Sequence, residues 1–569
     1  MRFQNISASS KERLAVCVLL LLQSIVMTYP SITYLSSGVA GREGDNLFYV
    51  WQLWWVKHSL LDLRISPFFD PFAYYPVGYQ VASGELTPAN TFLFLPVTAI
   101  GGPVVSYNVC LLFSFFASAL GAYLWVEQLT SRRSAALVAG VVFGFLPYRY
   151  AHLPGHLELM STQWIPLSLF ALERFIASHH MRWAIAIGVG LTLIALSSWY
   201  YAYSALLLLP LYILMRARPW REHWSQARWW RGLLVIGLII LVLVVPFALP
   251  YYQLFTQGQL ARDLDEAASW SLNPYDFFIP NLSHPLLGRL ARTWFPQQAG
   301  QWPERGVCLG IAATVLGMIG LCQSRGVHWA GAIIATWIMS FMIALGPTLH
   351  WGGAQVSFPS LDFVPLPAYA LYKLVPLGSS MRVMSRFGVW TGLMTAALAS
   401  WGACWLVEKV ARHRSWRVGW FLLGLIMLTV LFESYGMVQE KTLLWPRPVD
   451  LWLAQSNPSP IVILELPLQQ ALRSIQNYYA TVHQQAMVLG PAGDSFYSVK
   501  RSVRSDRLRD FPAPASLEAL KTPNWQLSYV LFTPAQIENW AELRQAIEAT
   551  DVLRFERVEG DVWVYRVQR

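Results

Sequence analysis

The chain has 569 residues, 55% of them hydrophobic and only 13% charged, which excludes an ordinary soluble globular protein, where charged residues make up about a quarter. Its net charge of +10 does not require a nucleic-acid partner: from residue 437 onward 14 basic and 14 acidic residues cancel, so the surplus lies entirely in the first 436 residues. The five cysteines, Cys17, Cys110, Cys308, Cys322 and Cys404, all lie in or beside apolar runs, which argues against a disulfide framework and a paired-cysteine zinc site.

Lys11 and Arg13 precede an apolar stretch that starts at Leu14. It is longer than the usual core of a signal peptide and many similar runs follow, so it reads as an uncleaved anchor despite the small residues Gly38, Val39 and Ala40. Eleven membrane spans are expected, at 14–36, 104–129, 134–148, 159–177, 183–199, 201–215, 232–254, 306–323, 328–346, 386–408 and 418–436. Segment 90–102, with Pro96 and the pair Gly101 and Gly102, reads as a further half-span or re-entrant piece. Short basic loops, such as Arg132 with Arg133 and Lys409 with Arg412, Arg414 and Arg417, place the N-terminus in the cytoplasm and residues 437–569 outside.

The expected fold class is therefore a polytopic α-helical membrane protein with a small C-terminal extracytoplasmic α/β domain. The membrane domain spans 1–436 with a large first outer loop at 37–103, and the soluble domain spans 437–569. Within the latter, Ile461 to Leu464 and Tyr529 to Phe532 read as buried strands. Pro534 to Ala549 reads as a helix, and 552–567 as a hairpin turning at Glu559, Gly560 and Asp561.

Polar residues gather in the outer loops. Asp45 follows the first span and precedes a helix expected over 46–61, so it reads either as an acid held at the mouth of a span or as that helix's N-cap. Asp70 and Glu85 sit among prolines and glycines that prescribe a folded loop, and each reads as a cavity-facing acid or as a turn residue. In the second outer loop Arg149, His152, His156 and Glu158 converge; Pro154 and Gly155 argue against one regular helix through the two histidines that could share a metal, and they read either as hydrogen-bonding to sugar or phosphate or as interfacial His and Tyr with no chemistry. Arg382 and Arg386 run against the positive-inside bias, and their spacing puts them on one helix face, suited either to a lipid phosphate or to snorkelling. The loop from Ser271 to His284 and the residues Tyr478, Tyr479 and His483 read as structural.

The stretch GDNLFYVWQLWW after the first span, DPFAYYPVGYQ in the first loop, PYRYAHLPGHLEL leading into STQWIPL, and the outer C-terminal domain together resemble the multi-span glycosyltransferases of the C superfamily. The chain also resembles a group of bacterial membrane proteins carrying SLNPYDFFIPNLSHPL and SMRVMSRF. The resemblance implies a polyprenyl-phosphate sugar as donor, a glycan, lipid or protein acceptor on the outer side of a bacterial plasma membrane, and inversion at the anomeric carbon. It assigns the general base to Asp45. Glu85, Arg149, His152, His156, Arg382 and Arg386 are then expected to bind sugar, acceptor or leaving phosphate. Glu43 and Asp45 bracket Gly44 instead of forming an adjacent acid pair, so a divalent cation is an open cofactor and no metal ligand is assigned. No sequon-recognising motif is apparent, which favours transfer of one sugar. A lipid-linked glycan flippase and a non-catalytic envelope assembly protein are the alternatives.

Overall fold

The computed structural model describes residues 10–568 apart from 85, 257–261, 297–302, 438–439, 457–460, 472 and 491–505. The chain divides into two compact units, one formed by residues up to Thr33 with Val109–Gln439, the other by Tyr34–Asn108 with Glu440–Arg569.

The first unit is helical. A helix underlies each of the eleven apolar runs, from Ser10–Met27 to Trp416–Ser434. Among the described residues, four segments are long and apolar enough to cross a bilayer: Leu95–Thr130, Arg133–His152, Ala227–Gln253 and Trp416–Ser434. Three other apolar helices, Met181–Ser197, Ile311–Gln323 and Ala330–Ala344, are shorter. Ala227–Gln253 and Trp416–Ser434 leave most of their apolar residues uncovered, with Leu234 and Phe421 more than 70% exposed. Such faces belong against lipid rather than water. Leu95–Thr130 and Arg133–His152 are instead mostly buried inside the bundle. Small residues bring the backbones of Ile311–Gln323 and Gly388–His413 together, since a Cβ at Gly320 would lie 1.9 Å from the Leu398 carbonyl oxygen.

The re-entrant reading of 90–102 corresponds to a short helix, Pro88–Leu93, followed by a helix from Leu95 that breaks at Gly102, where φ is 81° and Pro103 follows. Glycine supplies that left-handed conformation without steric penalty.

In the second unit, β-pairing and salt bridges join the first loop to the C-terminal segment. Gly38–Ala40 pairs antiparallel with Lys441–Leu443, and Met487 donates its N–H to the Phe72 carbonyl at 2.8 Å. A five-stranded mixed sheet runs in the order 553–559, 562–567, 527–532, 462–465, 486–487. Val462 and Leu464 face one core with Val530 and Phe532, while Ile463 faces another with Tyr529 and Leu531. Burial of both faces explains why these strands read as continuous apolar runs. The hairpin turning at Glu559 to Asp561 forms as expected. The helix expected over 534–549 is shorter: a 3₁₀ turn at Pro534–Gln536 precedes a helix at Trp540–Glu548, separated by Asn539 in the left-handed region at φ 58°.

Candidate functional site

In the second unit, Asp45 is the first residue of the helix Asp45–Lys57 and is exposed. Gly44, not Asp45, occupies the N-cap position. The turn is fixed by Asn46, whose Oδ1 accepts from the Gly44 and Leu47 N–H groups at 3.1 and 2.9 Å, and whose Nδ2 donates to the Ala40 and Arg42 carbonyls. Asp45 is thereby presented in the first helical turn, where the helix dipole favours a carboxylate. Beyond Lys57 the helix widens into a π-helical turn, His58–Leu63, closed by Arg64 at φ 58°; the expected helix 46–61 therefore stops being α-helical before its end.

Two ion pairs lie beside Asp45 in the sequence, and their partners Glu440 and Arg473 were not among the expected residues. Arg42 pairs with Glu440, and Arg473 pairs with Glu43 through both its Nε, at 3.2 Å, and its Nη2. In the same unit Asp70 is buried in a turn, its Oδ1 accepting from the Phe72 and Ala73 N–H groups at 2.8 and 3.3 Å. Burial pushes its carboxyl up to about 6, against the opposing pull of those two N–H groups. Glu85 lies outside the described residues.

In the first unit, the short helix Pro147–His152 and the turn into Leu157–Met160 bring His152 and His156 together, with Nδ1 atoms 3.0 Å apart. Pro154 and Gly155 do break the helix, and the break is what lets the two rings meet edge to face. Glu304, absent from the expected set, completes the cluster: one ligand atom from each of His152, His156 and Glu304 lies within 4.8 Å of the others. Arg386 donates Nη2 to Glu304 Oε1 at 2.7 Å and Nε to Oε2 at 3.3 Å, and its guanidinium covers the Tyr200 ring. Burial pushes the Glu304 carboxyl up, but the Arg386 guanidinium, helped by the His152 ring, outweighs it and holds the group well below the usual carboxylate range. The sequence signal for Glu304 is slight: a Glu and an Arg immediately before the apolar run at 306.

Arg382 and Arg386 do not share a helix face. Only 384–387 is helical, as a 3₁₀ turn, and Arg386 points into the buried cluster. Arg382 is half-buried against the Trp270 ring and makes a loose pair with Glu266 at 3.9 Å. Arg149 is only 1% exposed, with guanidinium bonds to Ser114 at 2.8 Å and to Ser118 and Thr162, and it stacks on Phe115. These hydroxyls take the place of a carboxylate partner inside the bundle.

No family model matches the sequence, and no curated protein matches it. Solved structures do. The arabinofuranosyltransferase AftD from mycobacteria is similar at a TM-score of 0.60 and 15% identity, over 100% of this chain and 40% of that one. The Archaeoglobus fulgidus oligosaccharyltransferase in its apo form is similar at a TM-score of 0.51 and 13% identity, over 92% of this chain and 70% of that one. The same enzyme in complex with Zn and sulfate gives a TM-score of 0.52 at 14% identity, over 97% of this chain and 72% of that one. This chain thus spans well under half the length of the arabinofuranosyltransferase it resembles. At such identities the likeness is one of fold alone, a fold this chain shares with those solved membrane-enzyme structures.

Proposed function

We propose that the chain is a multi-span glycosyltransferase of the bacterial plasma membrane that moves a single sugar from a polyprenyl-phosphate donor to an extracytoplasmic acceptor, inverting the anomeric carbon. The reading rests on one observation above the others: an exposed acid, Asp45, sits in the first turn of a helix just after the first apolar helix, in a chain with a glycosyltransferase fold. Both similar enzymes, an arabinofuranosyltransferase and an oligosaccharyltransferase, transfer sugars.

In the reaction the acceptor hydroxyl oxygen bonds to the anomeric carbon while the bond from that carbon to the donor phosphate oxygen breaks. The hydroxyl proton passes to Asp45, and polyprenyl phosphate leaves with the bonding electron pair. Such general-base help is worth roughly a hundred- to ten-thousand-fold. Arg382, whose own pair to Glu266 is long, is the guanidinium best suited to meet the phosphate; Arg386, committed to Glu304, sets the charge of the buried cluster. His152 and His156 offer ring nitrogens to sugar hydroxyls. A divalent cation fits the donor chemistry of His152, His156 and Glu304, and would supply Lewis acidity there.

The test is sugar transfer in membranes supplied with a radiolabelled polyprenyl-phosphate hexose and, separately, a polyprenyl-phosphate pentose. Transfer by the natural chain and its loss in Asp45→Asn, at equal protein level, is the expected result. Undiminished transfer by a folded Asp45→Asn protein rules out the assignment.

A further inference from the structure

The geometry points to the helix Leu287–Trp294 as an in-plane anchor on the bilayer surface, with Leu286, Leu290 and Trp294 seated among lipid chains and Arg289 and Arg292 on phospholipid headgroups. The inference goes beyond sugar transfer and holds whether or not the chain moves sugars, because it concerns only what covers this helix.

The first argument is the arrangement of side chains. Leu286, Leu290 and Trp294 are spaced four apart, and each is more than half exposed. At about 100° per residue they fall within an arc of about 80°. Arg292, Arg289 and Thr293 are exposed and take the neighbouring arc. The side opposite the apolar stripe is already packed: Ala291 joins Ile279 and Leu282, and a Cβ at Gly288 would lie 2.3 Å from the Leu282 carbonyl oxygen. The stripe is therefore fixed outward. An apolar arc beside a basic one is the pattern of a helix lying in a membrane surface, its apolar side at the acyl boundary and its cations at the phosphates.

The second argument is position. His284 Nδ1 accepts from the Leu286 and Leu287 N–H groups at 3.1 and 3.0 Å, and its Nε2 donates to the Phe432 carbonyl at 2.7 Å. One ring thus couples the start of this helix to the last turn of Trp416–Ser434. Met437 adds a backbone bond to the Ser283 carbonyl at 3.2 Å. Trp416–Ser434 carries an exposed stripe of its own, Phe421, Leu425, Leu428 and Phe432, which belongs against lipid. That stripe ends where the bilayer surface lies, and the helix Leu287–Trp294 is tied to that end.

The third argument is charge. No Asp or Glu lies between Asp276 and Glu304, so the basic arc meets no acid from its own segment. Phosphate oxygens suit guanidinium groups, and the headgroup layer supplies them at this level. A protein partner would have to displace lipid that the adjoining span already touches, which favours the lipid surface as the occupant.

The test uses the full chain in nanodiscs of phosphatidylglycerol and phosphatidylethanolamine, with Cys17→Ser and Cys322→Ser removing the two cysteines that are not buried. A nitroxide is attached at Leu290→Cys or, as control, at Thr293→Cys, and its accessibility to oxygen and to a water-soluble nickel chelate is measured by electron paramagnetic resonance. At Leu290→Cys oxygen is expected to reach the label and the nickel chelate is not; at Thr293→Cys the chelate is expected to reach it. Adding Arg289→Gln and Arg292→Gln is expected to lower the ratio of oxygen to nickel accessibility at Leu290→Cys by about twofold, as the helix loses its headgroup contacts. Equal nickel accessibility at the two labelled positions overturns the inference, because the stripe then faces water. Shielding of Leu290→Cys from both reagents also overturns it, because a second copy or another protein then covers the stripe. An unchanged ratio in the arginine variant removes the headgroup contacts from the proposal. These readings stand apart from any sugar-transfer assay, so a failure there counts against the proposed function alone.

Discussion

Asp45 and Glu304 are both acids close to apolar helices, yet they are set by opposite means. Asp45 is exposed, and Asn46 beside it shapes its turn. Glu304 is 5% exposed, and the side chain that fixes it, Arg386, lies 82 positions away. The first arrangement leaves a carboxylate in contact with water, suited to exchanging protons with a substrate. The second holds a carboxylate charged inside the protein, suited to holding a cation or an oriented polar group. Substitutions should therefore separate the two: at Asp45 chemistry should be lost with the fold intact, and at Glu304 the fold itself should suffer.

The largest effect is expected for Asp45→Asn, a roughly hundred- to ten-thousand-fold loss of sugar transfer, with thermal stability in detergent changed by no more than about 0.5 kcal/mol. Arg386→Ala should do the reverse. Removing one partner of a buried ion pair leaves the other charge uncompensated and costs about 3–5 kcal/mol. Its thermal midpoint should fall well below that of Asp45→Asn, and the double variant Arg386→Met with Glu304→Leu should recover much of the loss, because the buried charge is then gone. A midpoint for Arg386→Ala equal to that of the natural chain would show that the pair contributes little to the fold.

How far each region could be read from the sequence follows from the same contrast. The turn that holds Asp45 lies within a few consecutive residues, so its place after an apolar run and at the start of an aromatic helix was legible. The helices, the strands around Ile463 and Tyr529 and the hairpin at Gly560 were legible because their signals are local periodicity and turn residues. The cap at Asp45 was misplaced by one residue, since Asn46, reaching back to Gly44, does the holding. Glu304 was missed and Arg386 was put on a helix face with Arg382, because neither the loop before 306 nor the short 3₁₀ turn at 384–387 has a period that reveals its direction. Arg473 was missed for the same reason: its partner, Glu43, is 430 positions away.

A buried acid of the second unit offers a prediction with a sign. Asp70 has its carboxyl raised from 3.8 to about 6 by burial, so the protonated form is the one its surroundings favour. Its contribution to stability is fully present below 3.8 and is lost as pH rises through about 6. The shift corresponds to about 3 kcal/mol. Asp70→Asn keeps an Oδ1 to accept from the Phe72 and Ala73 N–H groups, so it should flatten the pH dependence of unfolding between these limits and raise stability at pH above them. A variant less stable than the natural chain at neutral pH, with an unchanged slope, would mean that Asp70 is charged and well solvated in its turn.

A small stability effect is expected at Arg473. Its pair with Glu43 leaves the two side chains 38% and 33% exposed, and solvent-screened pairs of this kind are worth about 0.2–1 kcal/mol, so Arg473→Ala should barely move the thermal midpoint. Its effect on chemistry should be larger than its effect on stability. Glu43 precedes Asp45 by two residues, and Arg473 grips it at both oxygens while also donating to Gln536 at 2.8 Å, so the C-terminal segment braces the start of the helix that carries Asp45, the proposed base. Loosening that brace should lower kcat with little change in KM, because the carboxylate remains present but is less well aimed. Arg473→Lys keeps the charge without the forked geometry and should recover only part of the rate. Measured kcat values equal for Arg473→Ala and the natural chain would mean that Asn46 alone aims Asp45, and would confine the requirements of the base to its own turn.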